Sequence, residues 1–529
     1  MGTLSAVDRP SLDVRCTFQV WRGPVCAALA ALSSACASMR PPAQVPSAAP
    51  AAWHASLPHG MQLPHDGSST ALAGWWARQG DPLLVDLIEA AQAQSPNVAS
   101  AAARIAEARS ARAAAGAALL PTLDGVGSVG RSGGGVATAS APTATSASTG
   151  ASAATVTENG ATAGASSAPV TTWQAGLQTR WEIDLFGRLR SNRDAAALRL
   201  VGADARWHQA RVSVAAETAT TYVDERACQR QTGVVASDSN SRAETLRLSE
   251  LSMRAGFTAP ADTALVRAGA ADASARLTQQ RGQCALLRNA LVALTGINAG
   301  ALGQRLDAAP PATAPLAMTT IGSVSEVPAG ALAQRPDVFA AELEVAAASA
   351  AVGAAEAERY PRLALSGSIS ALQLRTSGFR SSFDTWSIGP LALTLPLLNY
   401  GSITGNIEAA RARYDEAAAL YRANVRQAVS EVEQALINLQ SSDARSGDAR
   451  SSVDNFEVAL RAAQARYDSG LANLFDLESA RRLVFVAQTA QVSLERERAE
   501  AWIALYRAMG GGWARPDSEA AQATASITP

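Results

Sequence analysis

The sequence has little of the material on which most enzymes and nucleic-acid-binding proteins depend. Its 529 residues include 45 basic and 46 acidic side chains, a net charge of −1, and no lysine at all. A chain so close to neutral offers no general attraction for nucleic acid. Four histidines and five cysteines leave few metal ligands, so we expect no metal site and no cofactor. No uninterrupted apolar run reaches about 18 residues, which argues against a helical inner-membrane protein.

Catalytic signatures are also missing. Aromatic residues make up 5% of the chain against 48% hydrophobic residues, and much of that hydrophobic content is alanine. We find no Ser/His/Asp set, no phosphate-binding loop and no glycine-rich dinucleotide fingerprint after a strand. The sequence therefore does not predict an enzyme, and its function has to follow from its architecture.

The N-terminus has the features of an export signal. A short apolar core at 25–32 follows a basic start, and small residues lead into Cys36. We interpret 1–36 as a signal peptide ending in a lipobox, with Cys36 acylated and 37–74 as a linker. The nearest leucine stands four positions before the cysteine, where three is usual, so cleavage after Ala37 without a lipid is the alternative. Export in either case makes disulfides possible.

The chain carries two copies of one plan. At an offset of 214 residues the matching pairs are Gly187 and Gly401, Asn192 and Asn406, Gly256 and Gly470, Asp262 and Asp476, and Arg267 and Arg481. Earlier elements match at an offset of 240, so the first copy holds 26 extra residues, which we place in a flexible Ser/Ala/Thr/Gly loop at 131–170. The predicted organisation is a first repeat at 75–298, an equatorial connection at 299–334, a second repeat at 335–510 and a flexible tail at 511–529.

Alternating apolar and polar residues predict strands in both copies. The pattern covers 171–185, 363–371 and 391–397, whereas a strand at 121–130 is placed mainly by the repeat. The alternation reverses at Leu372, where we expect a bulge or the end of the strand. Strands of this length and pattern fit a membrane barrel, apolar toward lipid and polar toward a lumen. The alternative is a half-buried strand in a soluble sandwich. The candidate lumen residues are Gln174, Gln178, Arg180, Glu182 and Asp184.

Two segments predict unusually long helices. Residues 188–254 and 402–468 are each 67 residues long and contain no proline, so at ~1.5 Å per residue each helix would extend about 100 Å. The second segment carries a coiled-coil stripe with one extra step of four. A buried helix in a bundle is the alternative for a single stripe of this kind. Shorter helices are predicted at 96–119, 262–296, 336–359 and 473–509.

The strand count requires self-association. Four strands cannot close a barrel, and an open sheet edge is not tolerated in lipid. Two chains would give eight strands and three would give twelve, and an eight-stranded barrel fills its interior with side chains. A solute path therefore favours three chains.

Two cysteines are placed symmetrically about a predicted turn. Cys228 and Cys284 each stand 28 residues from Gly256. In an antiparallel helical hairpin that turns at this glycine, equal distances bring the two side chains together. We predict a disulfide between them, and two buried free thiols are the alternative.

Four motifs resemble those of the outer-membrane factor (TolC-like) family, in particular the lipoprotein branch that serves resistance-nodulation-division efflux pumps. They are the runs 181–188, 254–258, 334–338 and 466–471. The resemblance covers about 75–510. It implies a mixed α/β membrane protein: a homotrimer with a twelve-strand outer-membrane barrel, four strands per chain, on a periplasmic tunnel of long antiparallel α-helices.

The resemblance also implies a function, a location and partners. The protein would be the passive exit channel of a tripartite multidrug efflux system. It would sit in the lipid of the cell outer membrane and extend into the periplasm. Its partners would be a periplasmic adaptor (membrane fusion) protein and an inner-membrane resistance-nodulation-division transporter.

By the same resemblance, Asp262 and Asp476 match aspartates that line the narrow periplasmic opening, and Tyr467 matches a tyrosine that holds the tips closed. Leu471 and Leu474 would add an apolar constriction. Ala472 and Ser479 replace the arginine and second aspartate of the best-known relative, which puts a salt-bridged lock in doubt. A ring of aspartates around one axis would attract cations. The alternative is that both aspartates cap helix starts.

Two other functions compete with drug efflux. A channel for type I protein secretion would use the same architecture, and only Cys36 favours the lipoprotein branch over it. A periplasmic structural coiled-coil lipoprotein is the alternative from another class. The alternating strands argue against that alternative, because a fibre has no use for apolar faces opposite Arg and Glu.

Overall fold

The computed structural model describes residues 40–47, 49–50, 53–55, 74–132, 169–309, 332–377 and 379–516. The whole predicted signal 1–36 with Cys36, most of the 131–170 loop, most of the 299–334 connection and residues 517–529 lie outside this part of the chain. The described chain divides into two compact units. We call residues 113–193 and 353–407 the sheet unit, and residues 40–112, 194–352 and 408–516 the helical unit.

The elements follow the two-copy plan. The first copy comprises α1 (Trp75–Arg78), α2 (Pro82–Gln94), α3 (Pro96–Ala117), β1 (Thr122–Ser132), β2 (Val170–Ile183), α4 (Arg188–Arg254) and α5 (Pro260–Thr295). After α6 (Ala299–Ala308), the second copy comprises α7 (Pro336–Glu356), β3 (Arg362–Thr376), β4 (Phe379–Thr394), α8 (Tyr400–Asp468) and α9 (Leu474–Ala508). The order helix, strand, strand, long helix, helix therefore occurs twice, as the repeat predicts. The helices α1, α2 and α6 were not predicted individually.

The sheet unit holds one antiparallel meander in the order β1-β2-β3-β4. The registers pair Gln178 with Asp124 on one side and with Ser368 on the other. Side chains alternate between the two faces of a strand, and directly paired residues share a face. The register therefore decides which side chains across the four strands form one surface.

Two details of the strand prediction were wrong. The fourth strand begins at Phe379, not at 391, and β3 continues past Leu372 to Thr376 without interruption. The register shift lies instead between Leu365 and Gly367. There one residue of β3 lies opposite two residues of β4, Gly389 and Pro390, which form a bulge; the proline has no N–H for the ladder.

The reversal of polarity at Leu372 has another physical cause. Leu372 pairs with Phe383, and Leu374 lies two residues farther along the same face. The face of β3 that carries Ser366 and Ser368 is thus polar along most of the strand, but it carries leucines near the β3–β4 turn. A change of surroundings along a continuous strand produces the same sequence pattern as a bulge.

The core of the helical unit contains one cluster of three aromatic side chains. Trp75 and Trp76 of α1 both pack on Tyr506 of α9, with ring centroids 5.0 and 4.7 Å away, respectively. The surrounding cluster draws apolar residues from α2, α4, α6, α8 and α9. Asp81 caps α2 by accepting hydrogen bonds from two backbone N–H groups, and the Tyr222 hydroxyl donates to its other oxygen at 2.6 Å.

The described part of the predicted linker is packed against helices. Val45 and Ala49 join an apolar cluster with residues of α7 and α8. Tyr414 donates from its hydroxyl to the Pro42 carbonyl at 2.9 Å, and the backbone N–H of His54 donates to Glu433 at 2.6 Å. Residues 40–55, where they are described, therefore run along α8.

One described stretch, Pro336–Arg359, is long and apolar enough to cross a membrane, and 61% of its apolar window is buried inside the protein. Helices α5 and α6 satisfy the same criterion only as a pair bent by 115°. Burial of this kind also occurs in the core helices of soluble proteins.

Candidate channel surfaces

The polar face of the sheet brings the predicted lumen residues of β2 together with residues from the other strands. Gln178 lies in one row with Asp124, Ser368 and Ser387. Arg180 lies between Thr122 and Ser366. No side-chain hydrogen bond or ion pair of Arg180 occurs among the described residues, so nothing in the described chain neutralises its charge. Asp124 was missed because β1 alternates poorly; only its register reveals it.

The other two predicted lumen residues are paired. Glu182 accepts from the Arg188 guanidinium at 2.9 Å, and Asp184 accepts from the backbone N–H of Arg190 at 2.9 Å. Asp184 stands beyond the last residue of β2. These pairs connect the strand end to the first turn of α4, where they hold the turn at Gly187. Because both carboxylates are bonded in this way, Glu182 and Asp184 contribute less negative charge to the polar face than the sequence alone indicates.

The opposite face of the sheet is an exposed apolar surface. Leu177, Ile369 and Trp386 lie side by side on β2, β3 and β4. Trp386 is 73% exposed and the neighbouring Ile388 is 82% exposed. Contiguous apolar surface of this kind is rare on monomeric soluble proteins and is typical of surfaces that meet lipid or a partner.

Both edges of the sheet are open in the single chain. Within the described residues β1 pairs only with β2, and β4 pairs only with β3. Each edge leaves a row of backbone N–H and C=O groups that a neighbouring strand can satisfy. The sheet therefore has two edges, β1 and β4, at which strands of other chains can pair.

The two helical hairpins of the helical unit turn by the same backbone device. At the end of α4, Gly256 donates to the Met253 carbonyl at 3.0 Å and Phe257 to the Ser252 carbonyl at 2.9 Å. At the end of α8, Gly470 and Leu471 make the corresponding bonds. The glycines have φ values of 81° and 76°, as this C-terminal motif requires. We call these two turns the hairpin tips.

Each tip exposes one large apolar side chain. Phe257 is 86% exposed and its counterpart Leu471 is 79% exposed. In this helix-ending motif the residue after the glycine usually packs back on its own helix. Here neither side chain does so, and each tip presents an apolar group to its surroundings.

The two predicted gate aspartates differ in their bonding. Both are exposed residues in the first turn of a helix. Asp476 forms a reciprocal capping box with Asn473: its backbone N–H donates to the asparagine side chain at 2.9 Å, and its carboxylate accepts from the asparagine N–H at 3.3 Å. Asp262 makes no such bond, and within the described residues its carboxylate has no hydrogen-bond or ion-pair partner. The capping interpretation thus fits the geometry of Asp476, but not that of Asp262.

The remaining gate candidates surround the second tip. Tyr467 belongs to the last turn of α8 and is half-buried, and its carbonyl accepts from Gly470 at 3.0 Å. Leu474 is the first residue of α9 and is also half-buried. Ala472, in the turn between the two helices, carries no charge that could bind an aspartate.

Cys228 of α4 and Cys284 of α5 are joined by a disulfide, with a Cα–Cα distance of 5.6 Å. The Gln280 amide donates to the Cys228 sulfur at 3.1 Å. The bond connects the two helices of the first hairpin well away from its tip.

A row of polar contacts between α4 and α9, which we call the polar seam, was not predicted from the sequence. A guanidinium nitrogen of Arg496 lies 3.3 Å from a carboxylate oxygen of Asp224, and the Gln231 amide donates to the Thr489 hydroxyl at 3.0 Å. The same nitrogen of Arg496 lies 3.3 Å from a carboxylate oxygen of Glu500. Burial, reinforced by a hydrogen bond with Asp224, raises the pKa of Glu500 to about 7 even though Arg496 acts to lower it. Long-range pairs of this kind leave no local trace in a sequence.

In the described part of the chain, no group of three His, Cys, Asp or Glu side chains is arranged so that it could hold a metal ion.

Comparison with known proteins gives consistent matches. A family model described as outer membrane efflux protein matches residues 87–297 and 327–511, one segment in each copy. Outer membrane protein OprJ of Pseudomonas aeruginosa is 31% identical over 358 residues, 66% of this chain and 72% of OprJ. The solvent efflux pump outer membrane protein SrpC of Pseudomonas putida is 30% identical over 343 residues, 64% of this chain and 71% of SrpC.

The fold matches solved outer-membrane channels. The Campylobacter jejuni CmeC outer membrane channel superposes with a TM-score of 0.75 over 92% of this chain and 98% of CmeC, at 20% identity. At that identity the likeness concerns the fold alone. It is a TolC-type channel fold, with four strands and long helices in each chain, and it agrees with the fold class predicted from the sequence.

Proposed function

The chain belongs to the outer membrane efflux protein family, and from that premise we propose how its surfaces make a channel. It is an outer-membrane exit channel of an efflux system, in a fold of channel proteins and not of enzymes. The observation that carries the proposal is the sheet, which has one apolar face, one polar face and two unpaired edges. In lipid this sheet is stable only when neighbouring chains complete it.

We place three copies of the chain in one channel. Pairing of the open β4 edge of one copy with the open β1 edge of the next would close a ring of twelve strands. Two copies would give eight strands, whose interior is filled by side chains. In the ring of twelve, Arg180, Gln178 and Asp124 face the lumen, and Trp386 and Ile388 face the lipid.

The hairpin tips form the periplasmic entrance in this proposal. Three copies of Asp262 and Asp476 would surround one axis, where fixed negative charges attract cations and repel anions. Tyr467, Leu471 and Leu474 would narrow the opening with apolar bulk. Asp262 supports this role because it is exposed and unpaired among the described residues. Asp476 combines the role with capping its helix.

Transport through the channel is passive, and its energy comes from partners. We propose a periplasmic adaptor protein that docks on the hairpin tips and an inner-membrane resistance-nodulation-division transporter that loads the substrate. The exposed Phe257 and Leu471 give an adaptor an apolar contact at each tip. A relative named for solvent efflux favours small organic molecules as substrates, multidrug efflux included.

Cys36 is the proposed site of a lipid anchor. The small residues before it and the packing of residues 40–47 on α7 and α8 are consistent with a chain that is tethered at its N-terminus. Palmitoylated protein recovered from cells labelled with a fatty-acid analogue, and its loss in Cys36→Ser, would establish the anchor. An unlabelled wild type would refute it.

The experiment that tests the function combines cells and bilayers. Deletion of the gene should sensitise cells to dyes, detergents and organic solvents, and a plasmid copy should restore resistance. The purified full-length protein should produce discrete current steps in a planar lipid bilayer. Unchanged sensitivity together with a well-behaved compact monomer in detergent-free buffer would contradict the proposal.

A further inference from the structure

Three arginines form one row across the sheet, at the end that holds the β3–β4 turn. The registers pair Arg131 of β1 with Thr171 of β2, and Thr171 with Arg375 of β3. Arg375 in turn pairs with Arg380 of β4. Directly paired residues share a face, and neighbouring strands lie about 4.8 Å apart, so the three Cα atoms fall within about 15 Å of one another. We call Arg131, Arg375 and Arg380 the arginine row.

The arginine row belongs to the apolar face of the sheet. Arg375 stands six residues after Ile369 on β3, and an even spacing along a strand keeps side chains on one face. On that face Ile369 lies between Leu177 and Trp386. The face that carries the exposed apolar residues in the middle of the sheet therefore carries arginines at this end.

Two tryptophans of β2 indicate how deep the arginine row lies in a membrane. Trp173 and Trp181 are on the same face as the row, and Trp173 is two residues from Thr171. Aromatic residues of membrane barrels gather at both boundaries of an apolar band about 25 Å tall. The ten residues from Trp181 to Thr171 span about 33 Å of strand, or about 25 Å along the membrane normal at a tilt of ~40°. The row therefore lies at one boundary of the band. It is the outer boundary, because β2 continues from Trp181 into α4, whose tip is the proposed periplasmic entrance.

Nothing in the described chain neutralises the arginine row. Its three side chains are exposed, and among the described residues none of them makes a hydrogen bond or an ion pair. The nearest described carboxylate on their face, Asp384, stands four residues from Arg380, about 13 Å along β4. Arg375 and Arg380 lie directly opposite each other, and like charges in that arrangement destabilise a sheet. An anion from outside the chain would relieve this repulsion.

We propose that the arginine row binds the phosphate groups of a lipid in the outer leaflet of the membrane. Guanidinium groups bind phosphate oxygens through paired hydrogen bonds, and they are more weakly hydrated than ammonium groups, which suits a site at the edge of hydrocarbon. Clusters of basic side chains at a membrane boundary bind anionic head groups for the same reason.

A lipid is favoured over a free anion because the row continues directly into the apolar face. A phosphate held by Arg375 and Arg380 would place the acyl chains of its own lipid against Trp173 and Ile369. Inorganic phosphate could use the arginines but not the apolar surface beside them. The proposal rests on the lipid-facing assignment of this surface under the proposed function.

The test measures lipid binding by the purified full-length protein in a non-ionic detergent. The probe is lipid A, an acylated glucosamine disaccharide with two phosphate groups, and the same lipid without its phosphates is the matched comparison. The wild type should bind lipid A about tenfold more tightly than the dephosphorylated lipid. Arg375→Ala should remove most of this preference, and the double variant with Arg380→Ala should remove all of it. Neither should change the affinity for the dephosphorylated lipid.

Arg362→Ala is the matched control. Arg362 is an exposed arginine at the other end of the same strand, and it lies on the polar face with Ser366. The control loses the same charge as Arg375→Ala and should bind lipid A as the wild type does. An equal loss in Arg362→Ala and Arg375→Ala would overturn the proposal, because it would reflect net charge alone.

Folding is checked by refolding from urea into phosphatidylcholine vesicles. Arg375→Ala should refold at least as well as the wild type, because it removes one of two opposed like charges. Adding lipid A to the vesicles should raise the urea midpoint of the wild type and leave that of the double variant unchanged. A midpoint that rises equally in both proteins would contradict the site.

Two further results would also overturn the proposal. One is equal affinity of the wild type for lipid A and its dephosphorylated form. The other is binding of inorganic phosphate as tight as that of lipid A, which would assign the row to a free anion. Failure of the channel function is read separately: a wild type that passes no current in a planar bilayer would refute the channel, whereas the lipid-binding measurement needs no current and still decides the arginine row.

Discussion

Cys228 and Cys284 are joined by a disulfide although 56 residues separate them, and Gly256 stands midway between them. The equal spacing from the turn is what the hairpin requires, because residues at equal distances from a helical turn face each other. The bond closes a long loop of the unfolded chain, and the entropy of that loop is the main contribution assigned to such a cross-link.

We expect the purified protein to bind no alkylating label at these two cysteines without reductant and two labels after reduction, as intact-mass measurement can count. Replacing both by serine should lower the free energy of unfolding by about 3–4 kcal/mol. The matched control is the same labelling in the presence of denaturant alone, which exposes free thiols but leaves disulfides intact. Two labels gained in that control would end the assignment.

The two faces of β4 allow a direct test of membrane contact. Ile388 and Ser387 are adjacent, and the register puts Ile388 on the apolar face with Leu177 and Trp386, and Ser387 on the polar face with Gln178. Ile388→Arg should destabilise the folded protein in lipid vesicles by about 2 kcal/mol or more. Ser387→Arg should cost much less, because it faces the proposed lumen. Refolding from urea into vesicles measures both, and equal losses would contradict the assignment of the faces.

The long helices and β2 could be predicted from the sequence because the spacing of apolar residues that marks them lies within each element's own residues. The predicted long helix 188–254 has the bounds of α4, and the alternation at 171–185 locates β2 within two residues. The same reasoning misplaced the bulge, because Leu372 changes surroundings without leaving its strand. Gly389 and Pro390, where the bulge lies, are indicated only by the register.

The candidate site could be predicted only in part. The repeat identified both aspartates of the tips, but it could not show that Asp476 caps its helix while Asp262 does not. That difference depends on Asn473, whose counterpart in the first copy is Ala259. The seam that joins Asp224 to Arg496 involves residues 272 apart in sequence, and no pattern within either helix marks them as partners.

Glu500 makes the stability of the polar seam dependent on pH. Its pKa is raised from 4.5 to about 7 in the folded chain, first by burial and then by its hydrogen bond with Asp224. Between about pH 4.5 and pH 7 the folded state therefore holds a proton that the unfolded state has released. The free energy of unfolding consequently falls as the pH rises through this window and stays lower above it.

We expect a loss on the order of 1 kcal/mol between pH 5 and pH 8, after allowance for partial exposure of the carboxyl group. Glu500→Gln should remove most of this pH dependence and stabilise the protein at pH 8. Glu416→Gln, at an exposed position of α8, should leave the dependence unchanged. Thermal melts of the three proteins across the pH range decide the matter, and an unaltered slope in Glu500→Gln would disprove the role of Glu500.

Replacing the two tip aspartates one at a time should distinguish an effect of their charge on ion selectivity from an effect on protein stability. Asp262→Ala removes a carboxylate without a partner among the described residues, so the melting temperature should hardly change. Asp476→Ala also removes one side of the capping box with Asn473 and should lower the free energy of unfolding by about 1 kcal/mol.

If both carboxylates line the entrance, each single variant should lower cation selectivity, and the double variant should lower it most. Reversal potentials across a KCl gradient measure selectivity, and melting curves measure stability. Since only Asp476 acts as a cap, a selectivity loss confined to Asp476→Ala would trace the effect to a distorted helix start. Equal losses in both variants would instead trace it to the charges themselves.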